Sequence, residues 1–546
     1  MKILCERNNG YKWSELPGGC FKGYIQLPDR KEPLRGNVAL QYFARADSFE
    51  HFQKLLKAAD GCYTIILRCE DGSVWAAVDT ARSMPLYYSI DGHFLSDSGP
   101  TIREALDIPK EAADPAALEE LLYRGFIAGP RTAYAEIAQL DAGQALECSP
   151  AGDIHTVFYY AHIQQTQTIG REDALRLFQQ VSDEAFDQIA AVIAGRPVVL
   201  SLSGGYDSRY VACMLKHRGV EDVSCYTYGR KDSFEIRQSE KIAKALGYRW
   251  ACVEYTDQRK LSILDNVGQA YTEANEWYDY SVYYQNFPAV RYLHETGWIK
   301  PGSVFLTGLR NDVPTGCNTA YCETVPSSQL SEDTFAKVVA KSGSGIVEPW
   351  FSKLSEEARI KHLDTLAKQR QDLKLSWSNL QEFSNAAECL EMIRSHSRAF
   401  IHMNDVHEFF GYEGMLPCEN KKLIKFWCSM PLEYKIHQSL FEEWITTKIP
   451  AQYGVGQKKM VVGYPSTPGW ERAKARAQLI LKRAVLLPLG LSLPEKTDFN
   501  NNGQLTATLF RKLHQKNRIG FRNADWSAVL TLYLMERYYG PDCLKK

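Results

Sequence analysis

The sequence predicts a strand-rich α+β unit followed by an α/β unit built on a parallel sheet with helical additions. Three observations support this. Short β-branched and aromatic runs, punctuated by Asp-Gly turns, fill the chain to about residue 160. From residue 197 onward, strand-like and helix-like segments alternate. At the start of that alternation, the apolar run Val198-Val199-Leu200 meets a helix through the turn Ser203-Gly204-Gly205. Alternation of this kind implies parallel strands wrapped by helices, with a ligand crevice beyond the carboxyl ends of the strands.

In the first part, Cys62–Cys69 and Val74–Val78 flank the hairpin signal Asp71-Gly72. Pro85–Ile90 and Phe94-Leu95 flank a second turn at Asp91-Gly92, and Asp114-Pro115 starts a helix that runs to about Arg124. Between Glu172 and Ala194, Leu175, Phe178, Val181, Ala185 and Ile189 recur at helical spacing. A helix is expected over Tyr206–His217, a strand over Val223–Tyr228, a helix over Phe234–Leu246 closed by Gly247, and strands over Trp250–Tyr255 and Val304–Thr307. Residues 317–395 are polar and read as a helical insertion; the remainder is helical and rich in aromatics. The expected division is 1–160 and 165–546.

At 546 residues the chain exceeds a single core. With 45% hydrophobic and 24% charged residues it has ordinary globular composition, and a net charge of -1 offers no electrostatic attraction to nucleic acid or a membrane surface. No apolar run is long enough to span a bilayer, and the start of the chain does not read as a signal peptide. The 14 cysteines include no CxxC pair, so a zinc site is not expected and reduced thiols in a cytoplasmic protein are. A homo-oligomer stays open.

A strand, a tight turn and a helix aim unpaired backbone N–H groups and a positive helix end at one point, where the natural ligand is a phosphate. The lysine of a Walker A loop is missing. Gly204 and Gly205 are expected to supply positive φ and close approach, and Ser203 and Ser208 hydroxyls for phosphate oxygens. Asp207 is either an oxygen ligand for Mg²⁺ or a plain helix cap. Ser203-Gly204-Gly205-Tyr206-Asp207-Ser208 matches the SGGxDS signature of the PP-loop ATP pyrophosphatases, which cleave ATP between the α and β phosphates.

With this loop stand Asp60-Gly61-Cys62-Tyr63, Asp79, Pro85-Leu86-Tyr87-Tyr88, the segment Gly125–Thr132, Thr307-Gly308-Leu309-Arg310-Asn311-Asp312, Glu413-Gly414-Met415-Leu416-Pro417, and Lys459 before Gly463-Tyr464-Pro465. Together they resemble the asparagine synthetase family, which includes glutamine-dependent asparagine synthetases, β-lactam synthetases and lasso-peptide cyclases. The resemblance implies an amidotransferase-like (Ntn-type) α+β domain followed by an α/β PP-loop synthetase domain. It implies ATP and Mg²⁺ as cofactors and an AMP-forming carbon–nitrogen ligase acting on a small-molecule, peptide or sugar-acid carboxylate. It assigns phosphates and nucleotide to Ser203, Gly204, Gly205, Asp207, Ser208, Thr227, Thr307 and Gly308, and Mg²⁺ to Asp207 and Asp312. The late catalytic lysine is Lys459, with Lys458 as competitor.

The chain departs from that family's pattern. A glutamine-hydrolysing member needs a cysteine directly after the initiator Met, and Lys2 stands there. Leu309, Val313 and Asn420 replace polar family residues, and Leu309 cannot act as a base, which leaves Glu413 as a candidate. Glutamine-dependent asparagine synthesis and a non-catalytic nucleotide-binding partner protein are the alternatives. Bland readings stand beside the functional ones: Asp312 as a loop carboxylate, Glu235 as a complement to a helix N-terminus, and the aromatics Trp277, Tyr278, Tyr280, Tyr283 and Tyr284 as core rather than pocket.

Overall fold

The computed structural model describes residues 1–163, 165–275, 279–323, 325–326, 329–341, 350–458, 469–491 and 498–544. The first part contains β1 (Lys2–Ile3), β2 (Trp13–Leu16), β3 (Gly19–Gln26), β4 (Leu34–Arg35), β5 (Asp60–Arg68), β6 (Val74–Val78), β7 (Tyr87–Ser89), β8 (Phe94–Ser96), β9 (Ile137–Gln139), β10 (Gln144–Cys148) and β11 (Ile154–Phe158). They form a seven-stranded antiparallel sheet, β11-β10-β6-β5-β3-β2 with β4 on β3, and a four-stranded sheet, β1-β8-β7-β9.

Alternation along the strands decides which face each residue covers. Ile66, Ala76, Val78 and Leu146 meet Leu86, Tyr88, Leu95 and Leu140 between the two sheets. On the outer face of the larger sheet, Phe21, Tyr63, Ile65 and Trp75 pack on Phe43 and Phe52 of helices α1 (Gly36–Phe43) and α2 (Phe49–Ala58). Helix α3 (Gly99–Ala105) lies on the smaller sheet, which makes a helix–sheet–sheet–helix stack.

The second sheet system holds β12 (Val198–Ser201), β13 (Val223–Gly229), β14 (Arg249–Glu254), β15 (Val304–Leu306) and β16 (Glu413–Met415), all parallel and ordered β14-β13-β12-β15-β16. Chain order reverses between β12 and β15, so the switch point falls between their carboxyl ends. Val198, Leu200 and Leu306 face Phe178, Phe186, Tyr210 and Met214, while Val199, Tyr226 and Phe305 face Phe287 and Val290. The helices Arg171–Ile193, Tyr206–His217 and Phe234–Leu246 carry the first cluster and follow the apolar spacing of the sequence.

The described residues of 317–395 are mainly helical, with Glu356–Asp372 and Leu380–Glu391 around a core of Phe335, Val339, Leu366, Phe383 and Leu390. It is also a bridge. Buried His362 meets Glu120, which also holds Arg131, and Gln369 Nε2 donates to Asp141 Oδ2 at 2.9 Å. Desolvation drives the His362 ring down to about 4.

The two sheet systems are joined by a buried cluster of charge. Asp279 Oδ2 accepts from Arg82 at 3.0 Å and Arg398 at 3.2 Å, while Asp279 Oδ1 accepts from Tyr87 at 2.7 Å. Arg398 also holds Asp141, and Arg82 also holds Gln139. All of these charged side chains are essentially inaccessible to solvent.

Removing one partner from such a group strands the others without compensation. Asp279→Ala is expected to lower the unfolding free energy by about 3–5 kcal/mol in urea titrations followed by tryptophan fluorescence. A loss below about 1 kcal/mol, the worth of an exposed pair, would remove the clamp from the account.

Candidate nucleotide and carboxylate site

The loop Ser203–Ser208 leaves β12 at the switch point and enters the helix Tyr206–His217. Gly205 is the N-cap at φ -73, with no side-chain capping bond. A glycine at the N-cap carries no side chain to cover this helix N-terminus, where the positive end of the helix dipole suits an anion. Asp207 lies inside the helix and is not its cap. Neither Gly204 nor Gly205 has positive φ, contrary to the expectation from sequence. Their role is compactness: a Cβ at Gly204 would press on Gln238 at 3.2 Å, and one at Gly205 on the Ser203 hydroxyl at 3.3 Å. The Ser203 and Ser208 hydroxyls lie 3.0 Å apart, and Ser203 Oγ accepts from Gly205 N at 3.2 Å.

The end of β15 reaches the same place. A Cβ on Gly308 would stand 2.6 Å from the carbonyl carbon of Asp207 and 2.6 Å from Ser208 N, so only glycine lets the loop after β15 touch the first turn of the helix Tyr206–His217. Asn311 Nδ2 donates to Asp207 Oδ1 at 2.8 Å, and Asp312 follows as the first residue of a short helix, half exposed. The structure thus gathers Ser203, Gly204, Gly205, Asp207, Ser208, Thr307, Gly308 and Asp312. Burial, and then the negative charge of Asp207 and Asp312 among other acids, raises the thiols of Cys317 and Cys418. Hard oxygens of this kind suit Mg²⁺, which completes its shell with phosphate and water oxygens. Thr227 is buried on β13, beyond the point where β12 ends.

Glu413 is not in this group. It opens β16 opposite Val304, at the amino-terminal edge of the sheet, where Arg196 holds it at 2.7 Å and Arg35 at 3.2 Å. It is a structural carboxylate, and the expectation that it serves as a base is corrected. Lys459 and Gly463-Tyr464-Pro465 lie outside the described residues, as do Trp277 and Tyr278. Lys458 pairs with Glu442 at 2.8 Å, and Glu442 accepts from Tyr206 at 2.9 Å.

Arg209 was not singled out by any pattern, yet it is buried and pins the site together. It donates to the carbonyls of Gly204 at 2.9 Å, Val455 at 3.0 Å and Gln457 at 2.6 Å, which brings the segment before Lys458 onto the loop. An arginine in an amphipathic helix carries no mark of this use.

The three replaced positions have packing roles. Leu309 meets Ala81, Ile401 and Leu416; Val313 packs on Met392, Ile424 and Cys428; and Asn420 caps the helix Lys421–Ser429 by accepting from Lys422 N at 3.0 Å. Next to Leu309, Arg310 is fully buried at φ 70 and grips Glu419 at 2.5 and 3.2 Å. Glu419 lies 3.4 Å from the Thr80 hydroxyl and 3.9 Å from His162, both in the first part of the chain. Burial lifts the Glu419 carboxyl from 4.5 to about 7, against the pull of Arg310, and drives His162 down to about 3.

Two expectations follow. Gly308→Ala should weaken Mg·ATP binding at least about tenfold by calorimetry, since overpacking costs of order 1–3 kcal/mol and is relieved here only by parting the loop from the helix; unchanged affinity would refute the contact. For Glu419, a raised folded value means stabilisation present in full below pH 4.5 and lost as pH climbs through about 7. Across that window, wild type should lose stability relative to Glu419→Gln in pH-resolved unfolding, and a flat difference would count against it.

The asparagine synthase family model matches residues 183–460, half of the chain. Among solved structures, an NH3-dependent NAD synthetase from Campylobacter jejuni subsp. jejuni in complex with nitrate is similar at 15% identity, over 40% of this chain and 94% of that one, with a TM-score of 0.19. No curated protein matches. Among the described residues no helix is long and apolar enough to cross a membrane. From its strand-end loops and the span of the match, the chain belongs to the asparagine synthase family.

Proposed function

We propose that the protein is an ATP-dependent amide ligase that activates a carboxylate as an acyl-adenylate. The observation that carries this reading is the packing of Gly308 on the Asp207–Ser208 backbone, which with the Asn311–Asp207 bond draws the loop ending in Asp312 to the N-terminus of the helix Tyr206–His217. Ser203, Gly204, Gly205 and Ser208 hold the β and γ phosphates, and Thr227, Thr307 and Gly308 border the nucleoside. Asp207 and Asp312 would hold Mg²⁺, which when bound neutralises charge on the phosphates.

A substrate carboxylate oxygen bonds to the α-phosphorus, the bond to the β-phosphate oxygen breaks, and pyrophosphate departs. An amine then bonds to the acyl carbon as AMP leaves, and the amine's surplus proton passes to solvent or a nearby base. Orientation of the two reactants at the loop supplies much of the acceleration. Lys459 is proposed to offset charge on the phosphates and the acyl oxygen. The helix–sheet–sheet–helix layering of the first part supports an Ntn-type relationship. The proposed amine is ammonia or a group on the substrate. The packing roles of Leu309, Val313 and Asn420 favour a second reading, a nucleotide-binding partner without catalysis.

Pyrophosphate release with hydroxylamine as the amine and a panel of carboxylic acids tests the ligase reading. Asp207→Ala should reduce the rate at least about a thousandfold, the scale of losing a charge-stabilising group. Mg·ATP binding without pyrophosphate release across the panel favours the partner protein, and absence of Mg²⁺-dependent ATP binding overturns both.

A further inference from the structure

A second cavity lies on the far side of His396 from Asp312, and its walls differ in kind from those of the phosphate loop. His396 bridges the two: its Nε2 lies 3.8 Å from Asp312 Oδ1, and its ring packs 5.1 Å from that of Phe400. Phe400, 37% exposed, forms one wall of a cavity of about 280 Å³. Tyr283, Val282, Trp526 and Leu530 supply other walls, and Arg124 and Asp525 also border it.

The charged groups on that boundary are already engaged. Arg124 donates to Ser395 Oγ at 3.2 Å, and its guanidinium lies over the rings of Phe126 at 4.6 Å and Trp350 at 4.5 Å. Asp525 caps the helix Trp526–Tyr539 by accepting from Ala528 N at 2.9 Å. An amino acid such as aspartate needs a cation for its α-carboxylate and an anion for its ammonium, and a sugar acid needs many hydroxyl partners. Tyr283, Phe400 and Trp526 instead present ring faces and edges, which suit a flat apolar body through offset or edge-on packing.

We infer that this cavity takes the body of the acceptor substrate, and that the substrate is an aromatic carboxylic acid whose carboxylate is turned toward Asp312. The inference rests on the ligase reading for the fate of that carboxylate, and on the cavity alone for its class. The π-helical turn Met392–His396, from which His396 reaches the metal carboxylate, is the kind of interruption that recurs at functional positions.

The test is calorimetry on the full chain with trans-cinnamate, L-aspartate and D-glucuronate, with and without Mg²⁺ and an α,β-methylene analogue of ATP. Cinnamate should bind at least tenfold more tightly than either other acid. Phe400→Ala, which removes a wall, and Ser527→Tyr, which puts a ring into the cavity, should each weaken cinnamate at least fivefold and leave the analogue unchanged. Preference for aspartate or glucuronate overturns the inference, as does cinnamate binding indifferent to both variants. If the analogue binds and cinnamate does not, the cavity assignment falls while the nucleotide reading stands. If cinnamate binds by these criteria and the analogue does not, the reverse holds.

Discussion

Everything at the switch point depends on the absence of a side chain at residue 308. Parallel strands are set about 4.8 Å apart by their hydrogen bonds, but the loops that follow are free to diverge. Gly308 lets the β15 loop lie directly on the backbone of Asp207 and Ser208, and Asn311 then fastens it to the Asp207 carboxylate. Two loops separated by about a hundred residues are thereby fixed against each other, one carrying Asp207 and the other ending in Asp312. A site for a charged, multidentate ligand gains from such support, because little ordering is left to be done when the ligand arrives.

The buried clamp around Asp279 addresses a different problem. Two sheet systems that met through apolar surface alone could slide, since dispersion and burial are indifferent to register. Charged groups taken out of water must find their partners or cost several kcal/mol each, so Arg82, Arg398, Asp141 and Asp279 admit one docking geometry. The helices within 317–395 reinforce it through His362 and Gln369. The polar composition of that stretch, which from sequence alone reads as a helical insertion, is in part the composition of a buried polar seam.

Local structure was largely legible. The helices Tyr206–His217 and Phe234–Leu246 fall where apolar spacing and Gly247 put them, and the alternation after residue 197 gives the parallel sheet directly. What escaped is what depends on partners far away in the chain. Arg82 and Asp279 have no sequence relation, and Arg209 looks like any helical arginine. Glu413 was misjudged because a strand of three residues carries no sign of which end faces the crevice. The conformations of Gly204 and Gly205 were misjudged for another reason: glycine marks both left-handed backbone and tight quarters, and here only the second applies.

The Arg310–Glu419 pair has a consequence for modularity. Arg310 sits in the very loop that ends in Asp312, and its partner reaches Thr80 and His162 across the seam. The amino-terminal layers therefore brace that loop through buried contacts. Cutting those layers away would strip Glu419 of its Thr80 and His162 contacts and so loosen its grip on Arg310.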